Sequence, residues 1–202
     1  MNALPDWIGV ILAGGRSTRM GRDKAMLDWQ GAPLLAHMGR LLRRAGARRV
    51  VVSGAYPAFG GVPDLWPDLG PIGGLCSVAQ QLPDGELLVV AVDMPALQPA
   101  ALAALRPSQG QACSVFADYR LPMRLRLDAR SRRCLQDVLR APPQCRSLRA
   151  LQQSVGTHAL AAPKDASLWF ANCNTVEQWQ QLQRNFASGA TPLPTLPTAI
   201  SG

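Results

Sequence analysis

The sequence contains no apolar run of the ~20 residues that a helix needs to cross a bilayer. The stretch from Met1 to Trp7 also lacks the basic start, apolar centre and small-residue cleavage site of a signal peptide. Both absences argue against a membrane protein. We therefore expect a cytoplasmic location and no membrane partner.

Cysteine and histidine are scarce and scattered. Neither His37 nor His158 lies in a motif, so no histidine chemistry is predicted. The cysteines are odd in number and form no CxxC pair, which argues against a disulfide framework and against a structural zinc site. We expect buried or incidental thiols at Cys76, Cys113, Cys134, Cys145 and Cys173.

Acidic residues are outnumbered by basic ones, 13 to 21, which leaves a net charge of +8. Such an excess attracts anionic partners, either phosphates or nucleic acid. The arginines gather in residues 40–49 and 120–149 without the interleaved aromatic side chains that stack single-stranded bases. This favours solvated helix faces and predicts no nucleic-acid partner; a basic nucleic-acid-binding protein is the distant alternative.

Short apolar runs alternate with helical stretches along the first half of the chain. Helices are predicted at 32–44, ended by Gly46, and at 72–82. Strands are predicted at 8–13, 49–53 and 87–92. This alternation is typical of βαβ units, so we predict an α/β fold: a single three-layer α/β/α sandwich of Rossmann-like type with a mostly parallel sheet.

The second half is less regular. A short helix is predicted at 99–105 and strands at 112–117 and 167–171. Residues 121–127 alternate apolar and polar side chains, which predicts a half-exposed strand, antiparallel at the edge of the sheet.

The last predicted helix ends near residue 187. Thr175 and Gln178 have the spacing of a capping box at its start. Beyond the helix, three prolines and small residues show no period. We therefore assign a single domain to residues 1–187 and a disordered tail to 188–202.

A glycine-rich loop follows the first strand, with the sequence LAGGRSTRMGRDK over residues 12–24. Gly14 and Gly15 allow backbone N–H groups to approach phosphate oxygens. Arg19 and Lys24 add full positive charge. The spacing fits neither the P-loop nor the dinucleotide fingerprint, but the loop is too long and too basic for a merely structural connection of ~2–6 residues. It predicts a nucleoside triphosphate site.

Lysine is rare in this chain: Lys24 and Lys164 are the two lysines among 21 basic residues. A lysine concentrates its charge on one phosphate oxygen, whereas a guanidinium suits bidentate clamping. We therefore predict that Lys24 acts at the α-phosphate and that Arg19 clamps the polyphosphate.

Asp93 follows an apolar predicted strand, and Pro95 stops that strand from continuing. Ligands of open α/β sheets bind beyond the carboxyl ends of strands, where the glycine-rich loop also lies. A turn or a helix cap is the plainer interpretation of a lone aspartate, but its pairing with the loop favours a ligand of Mg²⁺. One triphosphate and one Mg²⁺ can bridge both motifs if the Lys24 ammonium lies within about 12 Å of Asp93.

Two further segments are candidates for the same cleft. Residues 68–75, DLGPIGGL, bring glycines to a helix start and suit close approach by a flat base. Asn172 and Asn174 follow the last predicted strand on opposite faces, so at most one is expected to face Asp93. An Asx turn before the last helix is the alternative for either asparagine.

Four stretches, LAGGRSTRMGRDKAML, DLGPIGGL, VVAVDMPAL and FANCNTVEQW, together resemble the molybdenum cofactor guanylyltransferases. Their order and separations agree over about residues 12–182. The first stretch is specific to this family or its close relatives, since related cytidylyltransferases usually carry LAAG. The resemblance implies the nucleotide-diphospho-sugar transferase fold and an Mg²⁺-dependent transfer of GMP from GTP to the terminal phosphate of molybdopterin, with release of pyrophosphate.

The resemblance also implies roles for individual residues. Lys24, Arg19 and Asp93 would be catalytic, and no general base is needed because the attacking phosphate is already anionic. Cofactor-delivery proteins and apo-molybdoenzymes are the implied protein partners. Contacts to GTP would come from Leu12, Ala13, Gly14, Gly15, Lys24, Ser53, Asp68, Gly73 and Asp93, and contacts to the metal from Asp93 and Asn174.

Two positions depart from the family. Ser53 stands where members tend to have an asparagine that contacts guanine, and serine has a shorter reach. Leu121 replaces a histidine in a segment on the acceptor side. Transfer of another nucleotide, such as CMP, or transfer to another phosphorylated acceptor therefore stays open as an alternative.

Overall fold

The computed structural model describes residues 6–14, 23–106 and 110–187. Its strands are β1 (Trp7–Leu12), β2 (Asp28–Trp29), β3 (Ala32–Pro33), β4 (Ala47–Ser53), β5 (Gly61–Val62), β6 (Gly85–Ala91), β7 (Cys113–Phe116), β8 (Met123–Leu127) and β9 (Thr157–Leu160). Its α-helices are α1 (Leu34–Arg44), α2 (Gly70–Gln81), α3 (Pro99–Ala104), α4 (Ala129–Arg140), α5 (Leu148–Val155), α6 (Ala166–Trp169) and α7 (Val176–Ala187).

The main sheet has seven strands in the order β5-β4-β1-β6-β8-β7-β9. Strand β1 pairs in parallel with β4 and β6, and β9 pairs in parallel with β7. Strand β8 is antiparallel to both of its neighbours. The prediction of a mostly parallel sheet is confirmed, and β2 and β3 form a separate small ribbon.

Helices cover both faces of the sheet. Side chains alternate along the strands, so each strand sends apolar residues to both faces. Ile11 on β1 belongs to the apolar core that contains residues of α1, α3, α6 and α7. Val10 and Leu12 on the same strand belong to the opposite core, with residues of α2, α4 and α5. Both layers bury apolar surface against the sheet, and the predicted α/β/α sandwich is confirmed.

The first and last helices have the predicted signals at their ends. Helix α1 begins at Leu34, two residues after the predicted start, because the preceding Ala32–Pro33 pairs with β2. Gly46 has a φ of +98° and donates its N–H to the Arg43 carbonyl, which ends the helix as predicted. The capping box of α7 is also confirmed: the N–H of Gln178 donates to Thr175 Oγ1, and the N–H of Thr175 donates to Gln178 Oε1.

The strand at 121–127, predicted to be half-exposed and antiparallel at the edge of the sheet, does not lie at the edge. Strand β8 is antiparallel but lies inside the sheet, since β7 and β9 continue the sheet beyond it. Arg124 on β8 is only 5% exposed. Its guanidinium donates to Glu86 Oε1 at 2.9 Å and to the Gln111 carbonyl at 2.9 Å. Of the two arginines in this alternation, Arg124 therefore lies in a buried ion pair, whereas Arg126 is exposed.

The predicted strand at 167–171 was also wrong. This segment contains the short helix α6, in which the N–H groups of Leu168 and Trp169 donate to the Asp165 carbonyl. A short apolar run does not by itself distinguish a strand from a buried helical turn. The strand at the end of the sheet is β9, which was not predicted.

Helices α4 and α5 were missed, although both carry local start signals. Asp128 accepts from the N–H groups of Arg130 and Ser131, and the Ser131 hydroxyl donates back toward the Asp128 carbonyl. Ser147 accepts from the N–H of Ala150 at the start of α5. These are ordinary N-caps that precede amphipathic segments.

The predicted tail at 188–202 lies outside the described residues, so its disorder and the domain boundary stay predictions. Among the helices of the described ranges, none combines the length and the apolar character required to span a bilayer.

Candidate functional site

A cavity of about 900 Å³ opens at the carboxyl ends of β1, β6 and β7. Its size lies in the usual range for small-molecule sites, and its position is the one where open α/β sheets bind ligands. The lining residues are Leu12, Ala13, Gly14, Lys24, Pro71, Ala91, Val92, Asp93, Met94, Asp118, Tyr119, Arg120, Leu121, Leu148, Phe170, Asn172 and Asn174.

Three polar side chains from distant parts of the chain meet at one point of this cavity. Lys24 Nζ lies 3.6 Å from Asp93 Oδ2 and donates a hydrogen bond of 2.8 Å to Asn174 Oδ1. The predicted proximity of Lys24 to Asp93 is therefore confirmed, while their catalytic roles stay predictions. The side chains of Lys24 and Asp93 are only 16% and 20% exposed, so solvent screens their charges incompletely.

Lys24 is the first residue of a short 3-10 turn. Asp23 caps this turn by accepting from the Ala25 N–H at 3.0 Å. The Tyr56 hydroxyl donates to the same carboxylate at 2.9 Å. Burial and the neighbouring Asp23 raise the pKa of Tyr56, so it stays a neutral donor. These contacts fix the point from which the Lys24 side chain enters the cavity.

Asp93 stands just beyond β6, and backbone hydrogen bonds hold it from two sides. The Val92 N–H donates to the Leu12 carbonyl at 3.1 Å, which ties this segment to the end of β1. The Cys173 N–H donates to the Asp93 carbonyl at 3.0 Å. His37 Nε2 donates to the Pro95 carbonyl at 3.0 Å, a structural contact that anchors the segment after Asp93 to α1.

The environment of Asp93 suits a cation. Burial raises the pKa of the Asp93 carboxyl, and the nearby Lys24 ammonium opposes this shift without cancelling it. The desolvated carboxylate also contributes to raising the pKa of the Cys173 thiol to about 11, after burial itself. A buried carboxylate of this kind gains interaction energy when a second positive charge arrives.

The oxygen donors around Asp93 fit a hard divalent cation such as Mg²⁺. Within the described residues, no group of three or more His, Cys, Asp or Glu side chains is arranged to hold a metal. One carboxylate and one or two amide oxygens are nevertheless enough protein ligands for Mg²⁺, because this ion takes its remaining ligands from water and substrate phosphates.

Both asparagines, Asn172 and Asn174, line the cavity. The prediction that at most one would do so assumed an extended strand, in which successive side chains alternate. The segment is instead an irregular connection between α6 and α7, where that alternation does not apply.

The predicted glycine loop forms one end of the cavity with Leu12, Ala13 and Gly14. Gly15 and Arg19 lie outside the described residues, and their predicted contacts stay predictions. Ser53 is at the end of β4, is 1% exposed, and donates from Oγ to Asp64 Oδ1 at 3.2 Å. Sequence analysis did not identify Asp64, since it belongs to none of the quoted motifs.

Asp68 and Gly73 flank the start of α2. Asp68 has a φ of +66° and an exposed side chain. A Cβ on Gly73 would lie 2.8 Å from the Trp66 carbonyl oxygen and 2.9 Å from the Leu69 Cβ, so only glycine fits there. Their neighbour Pro71 lines the cavity. Contacts of Asp68 and Gly73 with a base stay predictions.

The wall opposite the glycine loop is aromatic and apolar. Tyr119 packs edge-on against Phe170 with ring centroids 4.7 Å apart, and Phe116 stacks on Phe170 at 5.1 Å. Arg120 adds an exposed positive charge beside them. Sequence analysis noted Leu121 in this segment but did not predict the aromatic pair, because Tyr119 and Phe170 are remote in the chain.

Comparison with known proteins identifies similar sequences. Residues 9–164 match the family described as MobA-like NTP transferase domain. A protein of Xanthomonas euvesicatoria pv. vesicatoria described as molybdenum cofactor guanylyltransferase is 50% identical over 177 residues, which covers 87% of this chain and 94% of that protein.

Solved structures show the same fold at low sequence identity. Molybdopterin-guanine dinucleotide biosynthesis protein A from Archaeoglobus fulgidus superposes with a TM-score of 0.71 at 18% identity, covering 90% of this chain and 99% of its own. A 2-C-methyl-D-erythritol 4-phosphate cytidylyltransferase from Thermus thermophilus gives 0.63 at 15% identity, with 88% and 98% covered.

Proposed function

This chain belongs to the molybdenum cofactor guanylyltransferases, within the family of MobA-like NTP transferases, and from that premise we propose that it transfers GMP from GTP to the terminal phosphate of molybdopterin. The observation that carries the proposal is the convergence of Lys24 and Asp93, 3.6 Å apart, beside the glycine loop. A cation and a carboxylate so close at the ends of parallel strands are suited to a triphosphate with its metal.

GTP occupies the end of the cavity formed by Leu12, Ala13 and Gly14, with its triphosphate directed toward Lys24. Gly15 and Arg19 belong to the same loop and contribute to phosphate binding in this proposal, as do Asp68 and Gly73 to base binding. The cavity has room for both substrates at once, since about 900 Å³ is near the upper end of small-molecule sites.

Asp93 and Asn174 are the residues that would hold Mg²⁺. When bound, the ion supplies Lewis-acid stabilisation of the negative charge on the phosphates. Lys24 would exchange its hydrogen bond to Asn174 for a phosphate oxygen, which would also free the amide oxygen of Asn174.

The reaction requires positioning more than acid–base chemistry. An oxygen of the acceptor phosphate attacks the α-phosphorus of GTP, the bond from that phosphorus to the α,β-bridging oxygen breaks, and pyrophosphate leaves with the bonding electrons. The attacking oxygen is already anionic, so no side chain has to remove a proton. Lys24 stabilises the charge that develops on the nonbridging oxygens, and the cleft holds the two reactants in line.

The acceptor lies against the opposite wall, where Tyr119 and Phe170 offer an apolar surface and Arg120 a charge. This wall is suited to a flat, phosphorylated heterocycle. The location in the cytoplasm and the delivery and receiving proteins expected from the sequence stay predictions.

The nearest alternative is the same chemistry with CTP, since Ser53 replaces an asparagine. Thermal denaturation separates the two: millimolar GTP with Mg²⁺ should raise the melting temperature while CTP should not, because a ligand selective for the native state stabilises it. Product analysis with molybdopterin and each triphosphate then tests the reaction. A larger shift with CTP, together with a cytosine dinucleotide product, would overturn the assignment of GTP.

A further inference from the structure

Three aromatic side chains join helix α7 to strand β2. Trp29 on β2 is fully buried, and its ring centroid lies 5.3 Å from that of Trp179 and 5.0 Å from that of Phe186, both on α7. We call Trp29, Trp179 and Phe186 the aromatic clamp. Gln183 on the same helix donates from Nε2 to the Asp28 carbonyl at 3.1 Å. Packed rings and a hydrogen bond therefore hold α7 against the β2 segment.

The two elements joined by the aromatic clamp also meet inside the cavity. Lys24 precedes Trp29 in the same segment of the chain, and Asn174 stands just before α7. Lys24 Nζ donates to Asn174 Oδ1 at 2.8 Å. The segment and the helix thus touch at two places, one polar and in the cavity, the other apolar and buried. The buried contact fixes the helix whose start presents Asn174.

The aromatic clamp also adjoins the segment that carries Asp93. The Trp29 ring lies 5.8 Å from the ring of His37 on α1. His37 Nε2 donates to the Pro95 carbonyl at 3.0 Å, just beyond Asp93. Trp29 therefore packs between the helix that presents Asn174 and the helix bound to the Asp93 segment. In a closely packed interior, the size of its ring sets the separation of the two.

Trp29 acts through the shape of its ring. Its indole Nε1 is buried and has no hydrogen-bond partner among the described residues. A buried indole usually finds an acceptor for this nitrogen, so packing is the contribution that the side chain makes here. A smaller side chain would leave space that the neighbouring elements fill only by moving.

We propose that the aromatic clamp positions Asn174: the packing of α7 on Trp29 holds the Asn174 amide oxygen near Asp93, where it can contact the metal. This inference rests on the proposed function, since it assumes that Asn174 contributes to the Mg²⁺ site. Trp29 is not among the residues that line the cavity, so it is a positioning residue and acts through Asn174.

The test compares the binding of GTP by wild type and by Trp29→Phe. Phenylalanine keeps an aromatic ring of smaller volume, so α7 can shift while the protein still folds. With Mg²⁺ present, calorimetry should show GTP binding weakened by up to about 10-fold, the lower end of the effect of groups that orient a metal ligand. With EDTA in place of Mg²⁺, the Kd for GTP should change by less than about 2-fold, because Asn174 then has no metal to contact.

A double variant tests whether Trp29 acts through Asn174. Asn174→Ala removes the amide oxygen, so Trp29→Phe should change the Kd for GTP with Mg²⁺ by less than about 2-fold in this background. The Mg²⁺ concentration that gives half the maximal rate of transfer should follow the same pattern. The effects of two independent residues would instead multiply.

Trp7→Phe is the matched control. Trp7 belongs to the same apolar core, is 2% exposed and also has a buried Nε1 without a partner among the described residues. It is the first residue of β1, at the end of the strand away from the cavity. Trp7→Phe should lower the melting temperature, as Trp29→Phe does, but leave GTP binding with Mg²⁺ unchanged. If Trp29→Phe does not fold, Phe186→Leu at the half-buried end of the clamp replaces it.

Three results would overturn the inference. One is unchanged GTP binding with Mg²⁺ in Trp29→Phe or in Asn174→Ala. Another is equal weakening with Mg²⁺ and with EDTA, or in Trp7→Phe, since Trp29 would then act on the fold as a whole. The third is multiplied effects in the double variant. Failure of the proposed function looks different: wild type would form no guanine dinucleotide with molybdopterin, whereas the binding assay needs no acceptor and still tests the clamp.

Discussion

The two walls of the cleft are built in different ways. The wall proposed to receive the nucleotide, which we call the nucleotide wall, combines the ends of the parallel strands β1 and β6 with the 3-10 turn that begins at Lys24; its residues are Leu12, Ala13, Gly14, Lys24 and Asp93. The wall proposed to receive the acceptor, which we call the acceptor wall, comes from the turn between β7 and β8, the first residue of α5 and the residue after α6; its residues are Asp118, Tyr119, Arg120, Leu121, Leu148 and Phe170.

The two walls are also held together by different kinds of contact. Hydrogen bonds and an ion pair orient Lys24 and Asp93, whereas aromatic packing orients Tyr119 and Phe170. Polar groups with defined partners suit a triphosphate, because its charged oxygens need donors and cations in fixed positions. A wall held by packing changes its shape with single substitutions such as the leucine at 121. In the proposed function, chemistry therefore depends on the first wall and acceptor choice on the second.

The largest effect is expected from breaking the charged pair of the nucleotide wall. Asp93→Ala should lower the rate of nucleotidyl transfer by about 10³-fold or more, and Lys24→Ala by about 10²- to 10³-fold, because each removes charge stabilisation in the transition state. Initial rates with saturating GTP and acceptor measure both, and melting temperatures check the fold. Near-normal activity in either variant would refute the assigned roles.

A substitution on the acceptor wall should separate the two substrates. Arg120→Ala should raise the KM for the acceptor by about 10-fold while the Kd for GTP stays unchanged, since it removes a charge-assisted contact with an anionic acceptor. Arg130→Ala, an exposed arginine on α4, is the matched control. If Arg120→Ala weakens GTP binding as much as acceptor binding, the division of the cleft into two walls is wrong.

A comparison of Asn172 with Asn174 tests which side chains belong to the nucleotide wall. Asn174 bonds Lys24, whereas Asn172 lines the cavity without a described hydrogen bond to that lysine. Asn174→Ala should therefore reduce Mg²⁺-dependent transfer by about 10-fold and raise the Mg²⁺ concentration needed for half-maximal rate, while Asn172→Ala should change both by less. A magnesium titration of the rate in both variants gives the comparison, which the reverse order would contradict.

The smallest effect is a pH dependence of stability. Because burial raises the pKa of Asp93 above 3.8, the folded protein binds this proton more tightly than the unfolded chain does. In the ligand-free protein, the contribution of Asp93 to the free energy of unfolding is fully present at low pH. This contribution declines as the pH rises from 3.8 through the raised pKa.

Asp93→Asn removes this titration, so the melting temperature of the variant relative to wild type should increase with pH across that window, by less than about 4 °C. Thermal denaturation without nucleotide or Mg²⁺ at a series of acidic pH values measures the difference. A relative melting temperature that falls with rising pH would show that Lys24 dominates and that the pKa of Asp93 is lowered.

The sequence alone predicted that Lys24 and Asp93 lie close together, because the signals for this proximity are local. Glycines next to a strand, the rare Lys24 and an aspartate just after an apolar strand each point to the same edge of a parallel sheet, where their proximity follows from topology. The same reasoning identified β1, α1, β4, α2 and β6 in their order, but not the two-residue strands β2, β3 and β5.

Only the tertiary structure decided the environment of residues whose partners are far away in the chain. Asp64 accepts a hydrogen bond from Ser53 and lies beside Gly14. Phe170 packs against Tyr119, and Arg124 pairs with Glu86. No local periodicity encodes these pairs, since packing between separate elements brings them together and overrides the exposure that alternation suggests. The sequence by itself determined that Lys24 and Asp93 meet at one edge of a mostly parallel sheet; the folded chain decided which other side chains surround the cavity at that edge.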